Sequence, residues 1–109
     1  MIEDNLASMV DLATANGIRV VLASVLPADR YPWKPAVQPA QTIVALNAWM
    51  KDYARVKGLV YLDYHGAMAN DSMGLKSSLS ADGVHPNEAG YLLMAPLTEN
   101  AIREALRKQ

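Results

Sequence analysis

The chain has no cysteine, which excludes disulfides and thiolate metal sites. The compartment stays open, because many secreted proteins also lack disulfides. No run of basic residues stands out, with 10 Lys and Arg against 11 Asp and Glu, so nothing recommends nucleic acid or an anionic membrane surface as a partner. No apolar stretch approaches the ~18 residues of a membrane-spanning helix. No segment combines the charged start, apolar middle and small-residue cleavage site of a signal peptide. Internal repeats and low-complexity tracts are absent as well. What remains is 109 residues, 51% hydrophobic and 19% charged, with a net charge of -1, which is the make-up of one globular domain.

The pattern along the chain alternates. In residues 2–16, Leu6, Met9, Val10 and Ala13 fall at helical spacing, Glu3 and Asp4 occupy the first turn where the helix dipole favours anions, and Gly17 suits a C-terminal cap. The stretch "IRVVLASVLP" follows, and its apolar, β-rich centre from Val20 to Val25 predicts a strand over 18–25 buried on both faces. Pro27 ends it, and four of the six prolines fall between 27 and 39, giving a long stiff loop. A second helix is predicted over 39–57, with Ile43, Leu46, Trp49 or Met50, and Tyr53 as its apolar stripe and Gly58 as its stop. "LVYLDY" predicts a second strand over 59–64, and a loop runs from His65 to Gly83. A last helix is predicted over 87–108, with Pro86 in its first turn and a kink or break at Pro96.

The order α-β-α-β-α implies a parallel sheet with helices on its faces. Two strands make a poor sheet, since each keeps an unpaired edge, and the first strand has the composition of a central one. The pattern is that of part of an open α/β sheet. Met1 falls almost at a helix start, an odd place for a natural domain to begin. These features lead to two expectations: a truncated chain, and a homodimer formed through exposed strand edges or swapped helices.

Function in open α/β sheets gathers at the carboxyl ends of the strands. The turn "SADGVHPNEAGY" follows the second strand and sets Asp82 and His85 three residues apart. Gly83 permits a tight turn, and Asp82 can hold one ring nitrogen of His85 while the other takes a proton. The same spacing also fits an ordinary Asp-Gly turn followed by an exposed histidine.

The wider block "LSADGVHPNEAGYLLMAPL" resembles the last conserved block of the SGNH hydrolases, the GDSL esterase/lipase family. In that block the Asp and His of a Ser-His-Asp triad stand three residues apart, followed by Pro and often by Asn-x-x-Gly-Tyr. Asp82, His85, Pro86, Asn87, Gly90 and Tyr91 match it. "GIRVVLASVLP" and "LNAWMKDYARVKGLVYLDYHGAM" extend the resemblance over most of the chain. The resemblance implies part of a flavodoxin-like three-layer α/β fold, hydrolysis of carboxylic esters (short acyl esters, acetylated sugars or lipids), no cofactor, and His85 and Asp82 as catalytic base and its partner. The family's nucleophilic serine lies in a Gly-Asp-Ser block, and its oxyanion donors include a Gly and an Asn in two further blocks. None of these occurs among the 109 residues, nor does Gly-x-Ser-x-Gly.

Other residues invite weaker readings. Ser72 in "NDSMG" echoes the missing block without the strand and helix that expose a nucleophile. Ser77, Ser78 and Ser80 suit local turn hydrogen bonds, and Ser24 falls within the first strand. His65 with His85, Asp82 or Asp63 is a loose metal-ligand set, while as plain structure His65 shapes a strand end and Asp63 caps a loop. Tyr31, Trp33 and Trp49 suggest an aromatic platform. Of these, Trp33 in the proline-rich loop is the candidate substrate-binding residue, and Trp49 fits the buried face of its helix.

Overall fold

The computed structural model describes residues 2–107. Met1, expected at the first helix start, and Lys108, expected at the last helix end, lie outside the described residues. Helix α1 (Ile2–Ala15) leads to strand β1 (Val21–Ala23), helix α2 (Ala40–Lys57), strand β2 (Val60–Leu62), the short helix α3 (Tyr64–Met68), a 3₁₀ turn (Ser77–Leu79) and helix α4 (Glu88–Arg107). The strands pair in parallel, with Val21 opposite Val60, Leu22 opposite Tyr61 and Ala23 opposite Leu62.

Alternate strand residues face opposite layers, as the two-residue period requires. Val60 and Leu62, with Val21, pack on Ala101, Ala105 and Leu97 of α4. Leu22, with Leu59 and Tyr61, packs on Met50, Ala54, Leu46, Trp49 and Tyr53 of α2 and on Leu6 of α1. The result is an α/β/α arrangement: α4 on one face, α2 and α1 on the other. Small residues of α4, Ala101 and Ala105, let its backbone come close to the sheet. The left-handed Gly58 (φ 70°) ends α2, with its N–H directed to the carbonyls of Ala54 and Arg55.

Several expectations from sequence are corrected. The strands are three residues each, much shorter than 18–25 and 59–64. Asp63 caps a helix instead of extending β2, because its carboxylate accepts the Gly66 N–H at 2.8 Å. The first strand is not buried on both faces either: Leu22 and Ser24 are buried, while Ala23 and Val25 are exposed. Met9, placed on the inner stripe of α1, is exposed, and Val10 is the buried residue of that helix. The loop expected from 65 to 83 contains α3 and the 3₁₀ turn. Pro86 precedes the cap of α4 and forms a bridge with Ser80, and α4 itself begins at Glu88. Helix α4 runs through Pro96 without a break. Pro96 and Leu92, the residue whose carbonyl loses its donor, both lie on the exposed face, where water can replace the missing bond.

Candidate active site

At the carboxyl ends of the two strands the backbone is tied together by polar side chains. The Ser24 N–H donates to the Leu62 carbonyl at 2.9 Å, and the Ser24 hydroxyl accepts the N–H of His65 at 2.9 Å. Asn47 on α2, only 7% exposed, accepts the Val25 N–H at 2.8 Å and donates to the Val25 carbonyl at 3.0 Å. This two-way clamp fixes where the chain leaves β1 for the proline-rich loop. Pro27 and Ala28 beyond it are buried.

That loop turns tightly at Tyr31-Pro32-Trp33-Lys34, where the Lys34 N–H donates to the Tyr31 carbonyl at 3.0 Å. Pro32 supplies the fixed φ that the second position of such a turn favours. The turn stacks the Tyr31 and Trp33 rings at 5.2 Å and brings Trp33 to 6.1 Å from the His85 ring. Trp33 remains 59% exposed. The candidate substrate-binding residue and the candidate base therefore share one rim, although 52 positions separate them in sequence.

On the other side of that rim is the 80–87 turn. Nδ1 of His85 donates to Oδ2 of Asp82 at 2.7 Å, which leaves Nε2 as the proton-accepting atom. Oδ1 of Asp82 accepts the N–H groups of Val84 and His85, both at 2.8 Å. The His85 backbone bond, then the His85 ring, then the Val84 bond hold the Asp82 carboxyl far below the ordinary carboxylate range. The side chains of His85 and Asp82 are 71% and 42% exposed, so geometry rather than unscreened Coulomb attraction defines the pair. Gly83, at φ 81°, supplies the left-handed step that lets residue 85 fold back over residue 82.

Helix α4 is anchored directly behind this turn. Asn87 caps it, accepting the Gly90 N–H at 2.9 Å, and its amide nitrogen donates to the Ser78 carbonyl at 3.2 Å. A Cβ at Gly90 would stand 2.8 Å from the Leu79 carbonyl oxygen and 2.9 Å from Cβ of Pro86, so only glycine lets the 3₁₀ turn and Pro86 approach the helix this closely. The Asn-x-x-Gly after the His-Pro pair has a mechanical reason: it seats the turn on the helix.

The remaining candidates fall elsewhere. Ser72 lies exposed in the turn from Asn70 to Gly74, its N–H held by Asn70, and belongs to neither a strand nor a helix. Ser24 and Ser80 are buried and hydrogen-bonded to backbone. Trp49 is half-buried against Tyr53, away from a platform role. Asp63 caps α3. His65 has its Nε2 buried without a hydrogen-bond partner, and among the described residues no three His, Asp or Glu side chains gather where they could hold a metal. Motif and spacing do not single out the Asn47 clamp. Its signal is a polar residue in a buried helical series, Ile43, Asn47, Met50 and Ala54.

Residues 1–93 match the GDSL-like Lipase/Acylhydrolase family. Among solved structures, the chain is similar to a candidate acylhydrolase of Bacteroides fragilis (40% identity, TM-score 0.90), covering 95% of this chain and 51% of that one. It is similar to a GDSL-like lipase of Bacteroides thetaiotaomicron (39% identity, TM-score 0.89), covering 94% and 51%. The esterase domain of a zebrafish retrotransposon protein shares the fold at 18% identity and TM-score 0.76, covering 94% of this chain and 58% of that one. The chain thus spans about half the length of the two Bacteroides structures. No curated protein matches it.

Proposed function

Because the chain belongs to the GDSL-like Lipase/Acylhydrolase family, we propose that it supplies the base half of a serine-dependent ester hydrolase, with His85 as general base and Asp82 as its orienting partner. The observation that carries this reading is the 2.7 Å bond from His85 Nδ1 to Asp82 Oδ2, made by a carboxylate whose other oxygen is already pinned to two backbone amides. Nε2 of His85 takes the proton of a serine hydroxyl as its oxygen attacks the ester carbonyl. Asp82 stabilises the imidazolium that forms. His85 then returns the proton to the leaving alkoxide, which departs as the alcohol. Water, deprotonated by the same nitrogen, attacks the acyl-serine, and as the bond between the acyl carbon and the serine oxygen breaks His85 returns the proton to that oxygen, freeing the acid.

The serine and the oxyanion donors come from a polypeptide segment outside these 109 residues, since no Gly-Asp-Ser occurs among them. Losing one oxyanion donor alone costs ~10² to 10³ in rate, so the 109 residues by themselves are expected to be nearly inert. Trp33 lines the substrate side of the rim, where its exposed ring lies beside His85 and gives the acyl or alcohol part of the ester an apolar wall.

A fluorophosphonate probe tests the assignment. The 109-residue chain should stay unlabelled. A hybrid in which it replaces the matching half of the Bacteroides fragilis protein should be labelled at a serine of the other half, and much more slowly after Asp82→Asn. Stoichiometric labelling of the 109-residue chain, above all at Ser72, would place the nucleophile in the wrong half.

A second reading, a non-catalytic homo-oligomer, is favoured by one observation. Met9, Leu12, Leu92, Ile102 and Leu106 are all exposed, and among the described residues neither strand pairs along its other edge. A second copy could cover those surfaces.

A further inference from the structure

We infer that Ser80 is a positioning residue for the base, holding the Asp82–His85 turn in the geometry that fixes the His85 tautomer. This rests on the reading of His85 as base and Asp82 as its partner, and it concerns a side chain that takes no part in the proton transfers.

Ser80 is 5% exposed, although it lies two residues from a solvent-facing carboxylate. Its hydroxyl donates to the His85 carbonyl at 2.7 Å and accepts the Gly83 N–H at 2.9 Å. The same oxygen lies 3.2 Å from Oδ1 of Asp82. One hydroxyl therefore joins the amide after Asp82 to the carbonyl of the residue that carries the base. A hydroxyl has a single proton. The shorter contact, to the His85 carbonyl, takes it, and the Asp82 carboxylate relies on the Val84 and His85 amides.

The staple acts on the backbone at both ends of the Asp82–His85 pair. Gly83, at φ 81°, is the least restrained step between them, and Ser80 holds its amide. The His85 carbonyl fixes the peptide plane from which the imidazole projects. Ser80 also forms the bridge with Pro86, so the same residue joins the turn to the chain entering α4. Without its hydroxyl, the Gly83 amide and the His85 carbonyl lose their partner together. The backbone can then rotate, and the Nδ1–H to Oδ2 bond loses its alignment. Ala at this position keeps the Val84 and His85 amide bonds to Asp82 and the Asn87 cap; besides the two backbone bonds it loses only the 3.2 Å approach to Oδ1 of Asp82, so the effect falls on the turn that places the ring.

Long-range proton–nitrogen NMR of the isotope-labelled chain at about pH 9, above the ordinary histidine range near 6.5, reads the tautomer directly. In the unmodified chain His85 should carry its proton on Nδ1. Ser80→Ala should raise the Nε2–H form relative to the Nδ1–H form about fivefold, the change that loss of one ordinary hydrogen bond makes in an equilibrium. Ser80→Thr, which restores a hydroxyl, should return the ratio to its original value, and the ratio at His65 should not move in either variant. A merely structural serine would lower stability without shifting the His85 ratio selectively. If Ser80→Ala does not fold, Ser80→Cys keeps the side-chain size with a weak donor and should shift the ratio in the same direction. An Nδ1–H preference that survives intact in a folded Ala or Cys variant overturns the role of Ser80 alone. Absence of that preference in the unmodified chain overturns the base assignment beneath it.

Discussion

The two oxygens of Asp82 have separate tasks: Oδ1 takes the Val84 and His85 amides, and Oδ2 takes the His85 ring. All three bonds favour the ionised carboxylate, so its folded-state pKa lies far below the unfolded value. The resulting contribution to stability is fully present above the unfolded range near 3.9 and is lost as pH falls below it towards the folded pKa. A carbon-detected NMR titration of the Asp82 carboxyl should show a midpoint well below that range, and Asp82→Asn should remove the corresponding acid-side loss of stability. A midpoint at the ordinary value would mean that the amides do not hold the carboxylate in solution. The Asp82–His85 contact was legible because a three-residue turn with a glycine is joined to a block that resembles the last block of the SGNH hydrolases; the spacing by itself fits an ordinary Asp-Gly turn equally well. The approach of Trp33 to His85 was not, because it depends on the path of a long loop anchored at Asn47, and local spacing carries no information on that path.

Elements were legible as types and poorly legible as lengths. The helical period placed α2 to within one residue, since Ile43, Met50 and Ala54 form a buried series and Gly58 ends it. The apolar run from Val20 to Val25 suggested a long strand, but pairing with a single short partner gives hydrogen bonds to only part of it. Asn47 and Gly90 are where the elements are tied to the site. Asn47→Leu should destabilise the fold by about 2 to 3 kcal/mol, because the Val25 N–H and carbonyl both lose their partner beside a buried helix face. Urea unfolding checks this, and a change under ~0.5 kcal/mol would show that the clamp contributes no more than a surface contact. Gly90→Ala adds a methyl against the Leu79 carbonyl and Pro86, neither of which is the free end of a flexible side chain. Overpacking should outweigh the gain in helix propensity, for a net loss of about 1 to 2 kcal/mol in the same unfolding assay. A stabilised variant would mean that the 3₁₀ turn yields easily.

The whole molecule measures 41 × 30 × 20 Å with a radius of gyration of 14.9 Å, against about 13 Å for a compact chain of this length. Its two-stranded sheet leaves apolar side chains of α1 and α4 facing outwards, among them Leu12, Leu92, Ile102 and Leu106. Covering each is worth ~1.5 to 3 kcal/mol, so several together rival the net stability of a small domain. The 109-residue chain should therefore associate as its concentration rises, which light scattering over a dilution series would detect. A compact monomer unfolding cooperatively at every concentration would contradict this. The sequence hinted at such open surfaces through its strand count. It could not show which helix faces remain bare, because that depends on the layers present. The most direct measurement is ester hydrolysis by the hybrid that joins these residues to the other half of the Bacteroides fragilis protein. The hybrid should cleave a short-chain aryl ester, and His85→Ala should lower kcat about 10² to 10⁴-fold while leaving the fold intact. An active hybrid that is indifferent to His85→Ala would contradict the assignment of His85 as the base.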